Sequence, residues 1–507
     1  MNRRKFAKMA LASGLASQLP QANATAPQQT DSWAAQFKRA QTEHPWLLAY
    51  RNVQQPAFAA QAKLLGKWPT ELRGTLYRNG PAQHEVHGYR YHHWFDGDGM
   101  LQAYHINDDG IRHHARLIAT HKVLAEQDAG RALYPGFASA PPNPAAVTSP
   151  DAVNVANISV LPHHNKLLAL WEAGSPWEMD PETLQTNGTY AFSEDTSGVP
   201  FSAHPRVEAD GTLWNFGYVS AAKIFVLWHI NAKGKLVKIG KIPCDPITMV
   251  HDFVVTQNHI VMLVPPFHYA PGAATNTFLD AHQWRPDDAT RVLVVDKNDF
   301  SNFYWLELPA QWVFHFGNGW EDEAGVIRFD AARAEDPMAM IHAFREVMRG
   351  NIVPASASHH YQYRIDTKKR TISEIPLFHN RLDSEFPCVD PRISCQRNDK
   401  LTFLSSHQDR PAVHGLLNEV STFDFRSGKR DSYRYPDQIM PEEHLFIPAP
   451  GSQPETAGWI LGSALDWQAK MHKLFVFDAQ RVSDGPLAEA HLPYALPFGL
   501  HGKFQAA

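Results

Sequence analysis

Phe225-Val226-Leu227-Trp228-His229-Ile230-Asn231 is an aromatic and aliphatic run that ends on an asparagine, turns through polar residues and returns as a second strand. Apolar alternation closed by Asn, Asp or Gly is the signature of a β-hairpin. The same pattern ends six further segments. They are Met100–Asn107, Trp177–Asp180, Leu293–Asp296, Tyr361–Asp366, Thr422–Phe425 and Leu474–Asp478. Their spacing is irregular and averages roughly 60 residues, a little above the ~40–50 of familiar propeller repeats. Seven hairpins, each needing inner partner strands, predict an all-β chain folded as a seven-bladed β-propeller. Two tandem β-sandwiches are the competing arrangement. The repeats run on without a Gly/Ser-rich or charge-rich break, which favours a single propeller over residues 71–507. Residues 25–70, with a helix-compatible stretch from Asp31 to Thr42, read as an amino-terminal arm. Pro141-Pro142-Asn143-Pro144 and a helical-looking segment from Asp330 to Arg349 read as insertions capping one face.

The 507 residues carry a net charge of -5 without a basic stripe, which argues against nucleic acid as a partner. Twenty-eight histidines stand against three cysteines, favouring imidazole metal chemistry over thiolate or iron–sulfur sites. Cys244, Cys388 and Cys395 are too few for a disulfide framework. No run of 18 apolar residues crosses a membrane. Arg3-Arg4 ahead of the mildly apolar Met9–Leu19 and the small-residue site Ala22-Asn23-Ala24 resemble a twin-arginine export signal over residues 1–24. That signal would deliver a folded, metal-loaded protein to the periplasm.

In Val313-Phe314-His315-Phe316-Gly317-Asn318-Gly319-Trp320-Glu321-Asp322 one imidazole lies between two aromatic residues of a strand. Burying it is costly unless both ring nitrogens find partners, which a metal on one and a carboxylate or carbonyl on the other would provide. His204 (Ala203-His204-Pro205), His251 (Val250-His251-Asp252-Phe253) and His501 (Gly499-Leu500-His501-Gly502) sit in comparable settings. Singly, each is more often a satisfied core histidine than a ligand. No HExxH motif helps, and His84-Glu85-Val86-His87 involves none of the four. A propeller changes the weighing, because inner strands of separate blades share one axis. The expectation is that these four converge on one ferrous ion.

The chain resembles the carotenoid cleavage oxygenases, a family of retinoid isomerases, carotenoid-cleaving enzymes and lignostilbene dioxygenases. The likeness runs from about Leu72 to Phe504. It rests on Gly74-Thr75-Leu76-Tyr77-Arg78-Asn79-Gly80-Pro81, His93-Trp94-Phe95-Asp96-Gly97-Asp98-Gly99-Met100, Leu167-Leu168-Ala169-Leu170-Trp171-Glu172, the four histidine contexts, and Glu385-Phe386-Pro387. The resemblance implies that His204, His251, His315 and His501 bind non-haem iron(II), with Glu172, Glu385 and Glu443 behind them. Glu442-Glu443-His444 departs from the family's usual glycine-glutamate-proline, so Glu442 is an alternative to Glu443. Four neutral imidazoles leave the full charge on the metal, and buried carboxylates would offset it. The resemblance also sets Ile158 where an aliphatic side chain crowds the sixth coordination position. Lys122, with Tyr91 or Tyr89, matches the pair that contacts the substrate hydroxyl in lignostilbene-cleaving relatives. A lysine exposed at a strand end is the plainer reading of Lys122.

The implied activity is dioxygen-dependent cleavage of a conjugated carbon–carbon double bond into two carbonyl products. The substrate is a carotenoid or apocarotenoid, or else a hydroxystilbene. A calcium-dependent propeller hydrolase, a non-catalytic pigment-binding propeller and an oxygen-independent isomerase are the rivals. Trp94, Phe95, Trp177, Phe267, Tyr269, Trp312, Phe314, Phe316 and Trp320 are enough to line a tunnel for a flat substrate, though most are expected in the core. Ala132-Leu133-Tyr134-Pro135-Gly136-Phe137 is a candidate for membrane contact. Asp96-Gly97-Asp98-Gly99 lacks the other ligands of a calcium loop and reads as a turn. The paired histidines His92-His93, His113-His114, His163-His164 and His359-His360 read as structural or solvated, since neighbours on a strand face opposite sides. Lys368-Lys369-Arg370 reads as a hairpin tip, and Gly272-Ala273-Ala274 has no phosphate-loop spacing.

Overall fold

The computed structural model describes residues 32–507 apart from 220–221, 247, 271–276 and 379–381. The export signal and Gly272-Ala273-Ala274 lie outside the described residues. Seven antiparallel sheets of four or five strands form the seven blades of a β-propeller. All seven hairpin segments read from the sequence are the third strand of their blade, counted from the axis, which is why the signal recurs once per blade. In blade 3 that strand is Ile224–Ile230, paired to Leu213–Val219 inside and Leu236–Pro243 outside. A third strand is buried on both edges and both faces, so its apolar run is long. It emerges at the rim, where Asn or Asp makes the turn.

Both ends of the chain close the ring. The carboxy-terminal strand Gly502–Ala506 is the innermost strand of blade 1, pairing with Gly74–Gln83. From the amino-terminal segment, Ala57–Gln61 forms the outer edge of blade 1, and Lys63–Gly66 forms that of blade 7. These two short strands are joined through the buried Ala62. Residues of the same segment thus hold the first and last blades together from outside, while the chain end holds them from inside.

Before these strands, helix α1 (Trp33–Glu43) is capped by Ser32, whose hydroxyl accepts from Ala35 N–H. Phe37 of α1 and Trp46, Leu47 and Tyr50 just after it pack with Trp94, Met348, Phe498 and Leu500 over one face of the propeller. The buried guanidinium of Arg90 lies 3.4 Å from the Phe37 ring centroid and donates to Tyr50 O at 2.9 Å. Two other helices lie at this face. They are α2 (His121–Ala129), capped by Thr120, and α3 (Pro337–Glu346), capped by Asp336. The expectation of helix from Asp330 onward is corrected. Val326–Ala334 is a strand, paired on one edge with Trp312–Glu321 and on the other with Ser358–Asp366. Ile327, Phe329 and Ala331 alternate into one core at a strand period, and helix begins only after Asp336.

Candidate functional site

Each blade sends one residue to the axis. His501 directly precedes the inner strand of blade 1, Glu172 follows the second strand of blade 2, and His204 and His251 precede the inner strands of blades 3 and 4. His315, Glu385 and Glu443 lie within the inner strands of blades 5, 6 and 7. The four imidazoles converge, and their ligand nitrogens all lie within 4.8 Å of one another. Nε2 of His204 is 2.9 Å from Nε2 of His251, and Nε2 of His315 is 3.2 Å from Nε2 of His501.

Carboxylates stand behind three of the rings. Nδ1 of His251 donates to Glu172, Nδ1 of His315 to Glu385 at 2.6 Å, and Nδ1 of His501 to Glu443 at 3.0 Å. A neutral ring that donates from Nδ1 has a bare lone pair on Nε2. With both rings in that form, the lone pairs of His315 and His501 face each other at 3.2 Å. A cation between the rings turns that repulsion into coordination, so the donor set fits a metal. Burial and the neighbouring rings hold His204 well below the ordinary imidazole range. Burial likewise takes His501 down to about 4 against the pull of Glu443. In His315 burial acts downward, but the Glu385 carboxylate outweighs it and the ring is raised. Two of the four are thus held neutral, as ligation requires.

Irregular strands aim these side chains. The register shifts between Val313 and His315, between Phe316 and Gly319, between Glu385 and Cys388, and between Pro441 and His444. A bulge sets extra residues against one partner and re-aims a side chain, which suits an axis that several blades must reach. The glycines of the His315 stretch serve this. A Cβ on Gly317 would stand 2.0 Å from the Asp330 carboxylate, and one on Gly319 would stand 2.1 Å from Val254.

The bulge at Pro441–His444 also settles which glutamate faces the site. Both Glu442 and Glu443 lie opposite Ser463, and only Glu443 reaches a ligand ring. Glu442 is fully buried beside Arg78 (3.2 Å), Ser463 and the Gly499 N–H (2.5 Å). Burial acts to raise Glu443, but His501 and Arg78 overcome it and hold the carboxyl at about 2.

Two clamps escaped the sequence reading. The fully buried Arg78 joins Glu442 to Glu443 and donates to Leu500 O at 3.0 Å, one residue before His501. Arg206 bonds Asp252 and the carbonyls of Phe253, Phe316 and Gly317, while Asp252 accepts from Phe316 N–H at 2.9 Å. Arg206 and Asp252 thus tie blades 3, 4 and 5 together beside His204, His251 and His315. Their closeness in sequence to His204 and His251 was the available signal.

Above the metal centre opens a cavity of about 1380 Å³, walled largely by apolar side chains. Ile158 lines it beside His501, and the Ile158 carbonyl accepts the His501 N–H at 3.3 Å. Of the aromatic candidates, Trp94, Phe95, Tyr269 and Phe314 line the cavity. Trp177, Phe267, Trp312 and Phe316 are core residues, and Trp320 lies among the guanidinium groups of Arg328 and Arg397. Tyr134, Phe137, Trp171, Phe344, Phe386 and Phe498 are also part of the aromatic wall. Phe386, at φ 57°, stacks on His315 with ring centroids 5.2 Å apart.

Lys122 is not an exposed lysine at a strand end. It occupies the first turn of α2, is 3% exposed and lines the cavity. Its three N–H donors reach Tyr91 Oη (2.5 Å), Asp98 (2.8 Å) and Glu126 (2.9 Å). Tyr91, rather than Tyr89, is the partner. Burial acts to lower Lys122, but the two carboxylates raise it overall, and burial raises Asp98. Asp96, the other acid of the Asp96-Gly97-Asp98-Gly99 turn, accepts Phe137 N–H (2.5 Å) and Ala138 N–H (3.1 Å), and Glu126 accepts Leu133 N–H (2.8 Å). These acids fix the 133–138 loop as part of the cavity wall.

Comparison with known proteins agrees with this geometry. The family model described as RPE65, retinal pigment epithelial membrane protein, matches residues 50–506. The apocarotenoid-15,15'-oxygenase of Synechocystis sp. is 27% identical over 495 residues, covering 92% of this chain and 97% of that protein. The isoeugenol monooxygenase of Pseudomonas nitroreducens is 28% identical over 467 residues, 86% of this chain and 92% of that protein. The lignostilbene-alpha,beta-dioxygenase isozyme III of Sphingomonas paucimobilis is 26% identical over 467 residues, 87% and 93%. Among solved structures, cobalt-substituted Synechocystis apocarotenoid oxygenase superposes with a TM-score of 0.82 at 26% identity, covering 91% of this chain and 98% of that one.

Proposed function

The chain belongs to the RPE65, or carotenoid cleavage oxygenase, family, and from that membership we propose that it is an iron(II) enzyme cleaving the side-chain double bond of a hydroxylated aromatic substrate. It is a carbon–carbon double-bond-cleaving oxygenase with a four-histidine metal site. The finer reading rests on one observation, Tyr91 and Lys122 in the wall of a largely apolar cavity, backed by the buried Asp98 and Glu126.

Iron suits four imidazole donors, three of them bonded through Nδ1 to a carboxylate, and calcium, the metal of the hydrolase rival, prefers oxygen ligands. When bound, the metal supplies the activation of dioxygen. The chain does the rest. Glu172, Glu385 and Glu443 hold the Nδ1 protons and so aim the ligand nitrogens. Ile158 and Phe386 exclude water beside them, and the aromatic wall holds a flat conjugated system over the site.

At the polar end the cluster carries one ammonium and two carboxylates, a formal charge of -1. All three Lys122 donors are occupied and, of the cluster, only Tyr91 and Lys122 line the cavity, so an incoming phenol donates its hydrogen bond to Tyr91 Oη, whose own proton is held by the carboxylates behind it. A phenol that donates this hydrogen bond carries more electron density on its oxygen, which it passes into the conjugated double bond. A second reading, cleavage of an apocarotenoid, draws support from the size of the cavity and from the apocarotenoid-15,15'-oxygenase likeness.

Oxygen uptake by the iron-loaded protein with phenylpropenes, hydroxystilbenes and polyenes, with labelled dioxygen followed into both carbonyl products, tests this reading. Label in both products makes it a dioxygenase and label in one a monooxygenase. Uptake with polyenes alone would defeat the phenolic reading. Among the described residues no helix is long and apolar enough to cross a membrane. For a lipophilic substrate, contact of the 132–137 loop with a bilayer surface is part of the proposal, and vesicle co-sedimentation tests it. Export to the periplasm, proposed from Arg3-Arg4, is tested by cell fractionation of an R3K/R4K variant.

A further inference from the structure

Across the axis from Lys122, the cavity wall holds a carboxyl that touches none of the four ligand histidines in any hydrogen bond among the described residues. Asp383 lies on the inner strand of blade 6, Leu382–Cys388, two residues before Glu385. Residues i and i+2 share a face, so Asp383 sits about 7 Å along the strand from the carboxylate that orients His315. Both line the same cavity. Lys122 belongs to the connection between blades 1 and 2. In a ring of seven, blade 6 is two to three blades away, about 100–150° around the axis. The four histidines therefore stand between two polar ends of one space.

Among the described residues Asp383 forms no ion pair. Ser358 N–H donates to its Oδ1 at 2.8 Å, which fixes the side chain on the wall. Ser358 also lines the cavity, and its hydroxyl is buried without a partner. Among the described residues, the carboxylates of Glu385 and Glu335 act on Asp383. Burial, reinforced by those two, pushes the Asp383 carboxyl up to about 7. Near neutral pH such a group accepts a hydrogen bond from a hydroxyl in one form and donates one in the other.

We infer that Asp383, with Ser358, is a second polar subsite, so that the cavity takes a conjugated substrate bearing a hydroxyl at each end. One hydroxyl lies at Tyr91 and Lys122, the other at Asp383, and the double bond between them is set over the metal centre. The two anchors fix the register, and so which double bond is cleaved. This inference rests on the oxygenase reading for its reaction but not for its binding step.

The test is equilibrium binding of 4,4'-dihydroxystilbene and 4-hydroxystilbene to the metal-loaded protein under nitrogen, read by quenching of tryptophan fluorescence. In the wild-type protein the dihydroxylated ligand is expected to bind about ten-fold more tightly, the worth of one buried hydrogen bond to a carboxyl. In Asp383→Leu the ratio is expected to fall to about one. Asp383→Asn keeps the shape and part of the hydrogen bonding, and is expected to fall between. It also carries the test should the leucine variant fail to fold. A ratio near one in the wild-type protein, or an undiminished ratio in both variants, overturns the subsite. Discrimination in binding without oxygen uptake on admitting air upholds the subsite and defeats the oxygenase reading. Cleavage of both ligands with a wild-type ratio of one does the reverse.

Discussion

Two adjacent glutamates are predicted to fail in different ways when neutralised. Glu443→Gln removes the charge behind His501, where the carboxylate accepts Nδ1–H at 3.0 Å and Gly502 N–H at 2.7 Å. A carboxylate behind a ligating imidazole is worth about 10–100-fold in metal affinity, or about 1.4–2.7 kcal/mol. Glu442→Gln touches no ligand ring. Its side chain is 0% exposed and paired with Arg78, itself 1% exposed. Leaving a buried charge wholly unpaired costs about 3–5 kcal/mol of folding stability, and since Arg78 keeps Glu443 at 3.3 Å the expected loss is about 1–3 kcal/mol. Chelator competition for the bound metal and urea unfolding of the metal-free proteins separate the two effects. Glu443→Gln should lose metal about 10–100-fold more readily with a smaller loss of stability. Glu442→Gln should lose stability with less than about three-fold change in metal affinity. If Glu442→Gln released metal more readily than Glu443→Gln, the assignment of Glu443 as the carboxylate behind His501 would be wrong.

Acid should weaken the joint between blades 4 and 5. Glu321 accepts from Thr256, Asn258 and His259, and these bonds outweigh its burial and hold it from 4.5 down to about 2. A depressed carboxyl contributes its stability in full above the unfolded value near 4.5 and loses it as pH falls toward 2, about 3 kcal/mol in all. Urea unfolding should show a gap between wild type and Glu321→Gln that is largest near neutral pH and shrinks by about pH 3, and a constant gap would contradict this. Lys122→Met leaves Asp98 and Glu126 sharing a buried site without their cation, so a proton must bind there. Its kcat/KM should fall about ten-fold or more for a hydroxystilbene and much less for a polyene lacking hydroxyls, and equal losses for both would remove the hydroxyl-binding role.

The blade count was legible because third strands are buried on every side, and each signals its exit with Asp or Asn. The four ligands were legible as histidines among apolar neighbours, but no local spacing linked them, since they meet only when the ring closes. Glu443 could not be told from Glu442, because strand alternation is what a bulge suspends. The strands Ala57–Gln61 and Lys63–Gly66 were hidden by being short outer edges, with Leu64 and Leu65 exposed. Arg78 and Arg206 gave no sign of burial, since an arginine becomes a core residue only when carbonyls and carboxylates from several blades surround it. Asp330 to Arg349 misled because Ala-rich composition favours helix, whereas pairing on both edges makes its first part a strand.

The centre itself is tested most directly by metal analysis of the purified protein beside His204→Ala, His251→Ala, His315→Ala and His501→Ala. One iron per chain in the wild-type protein, lost together with oxygen-dependent cleavage in each variant, is the predicted result. Full iron retention in the variants, or cleavage that persists after the metal is stripped, would contradict a single four-histidine centre at the axis.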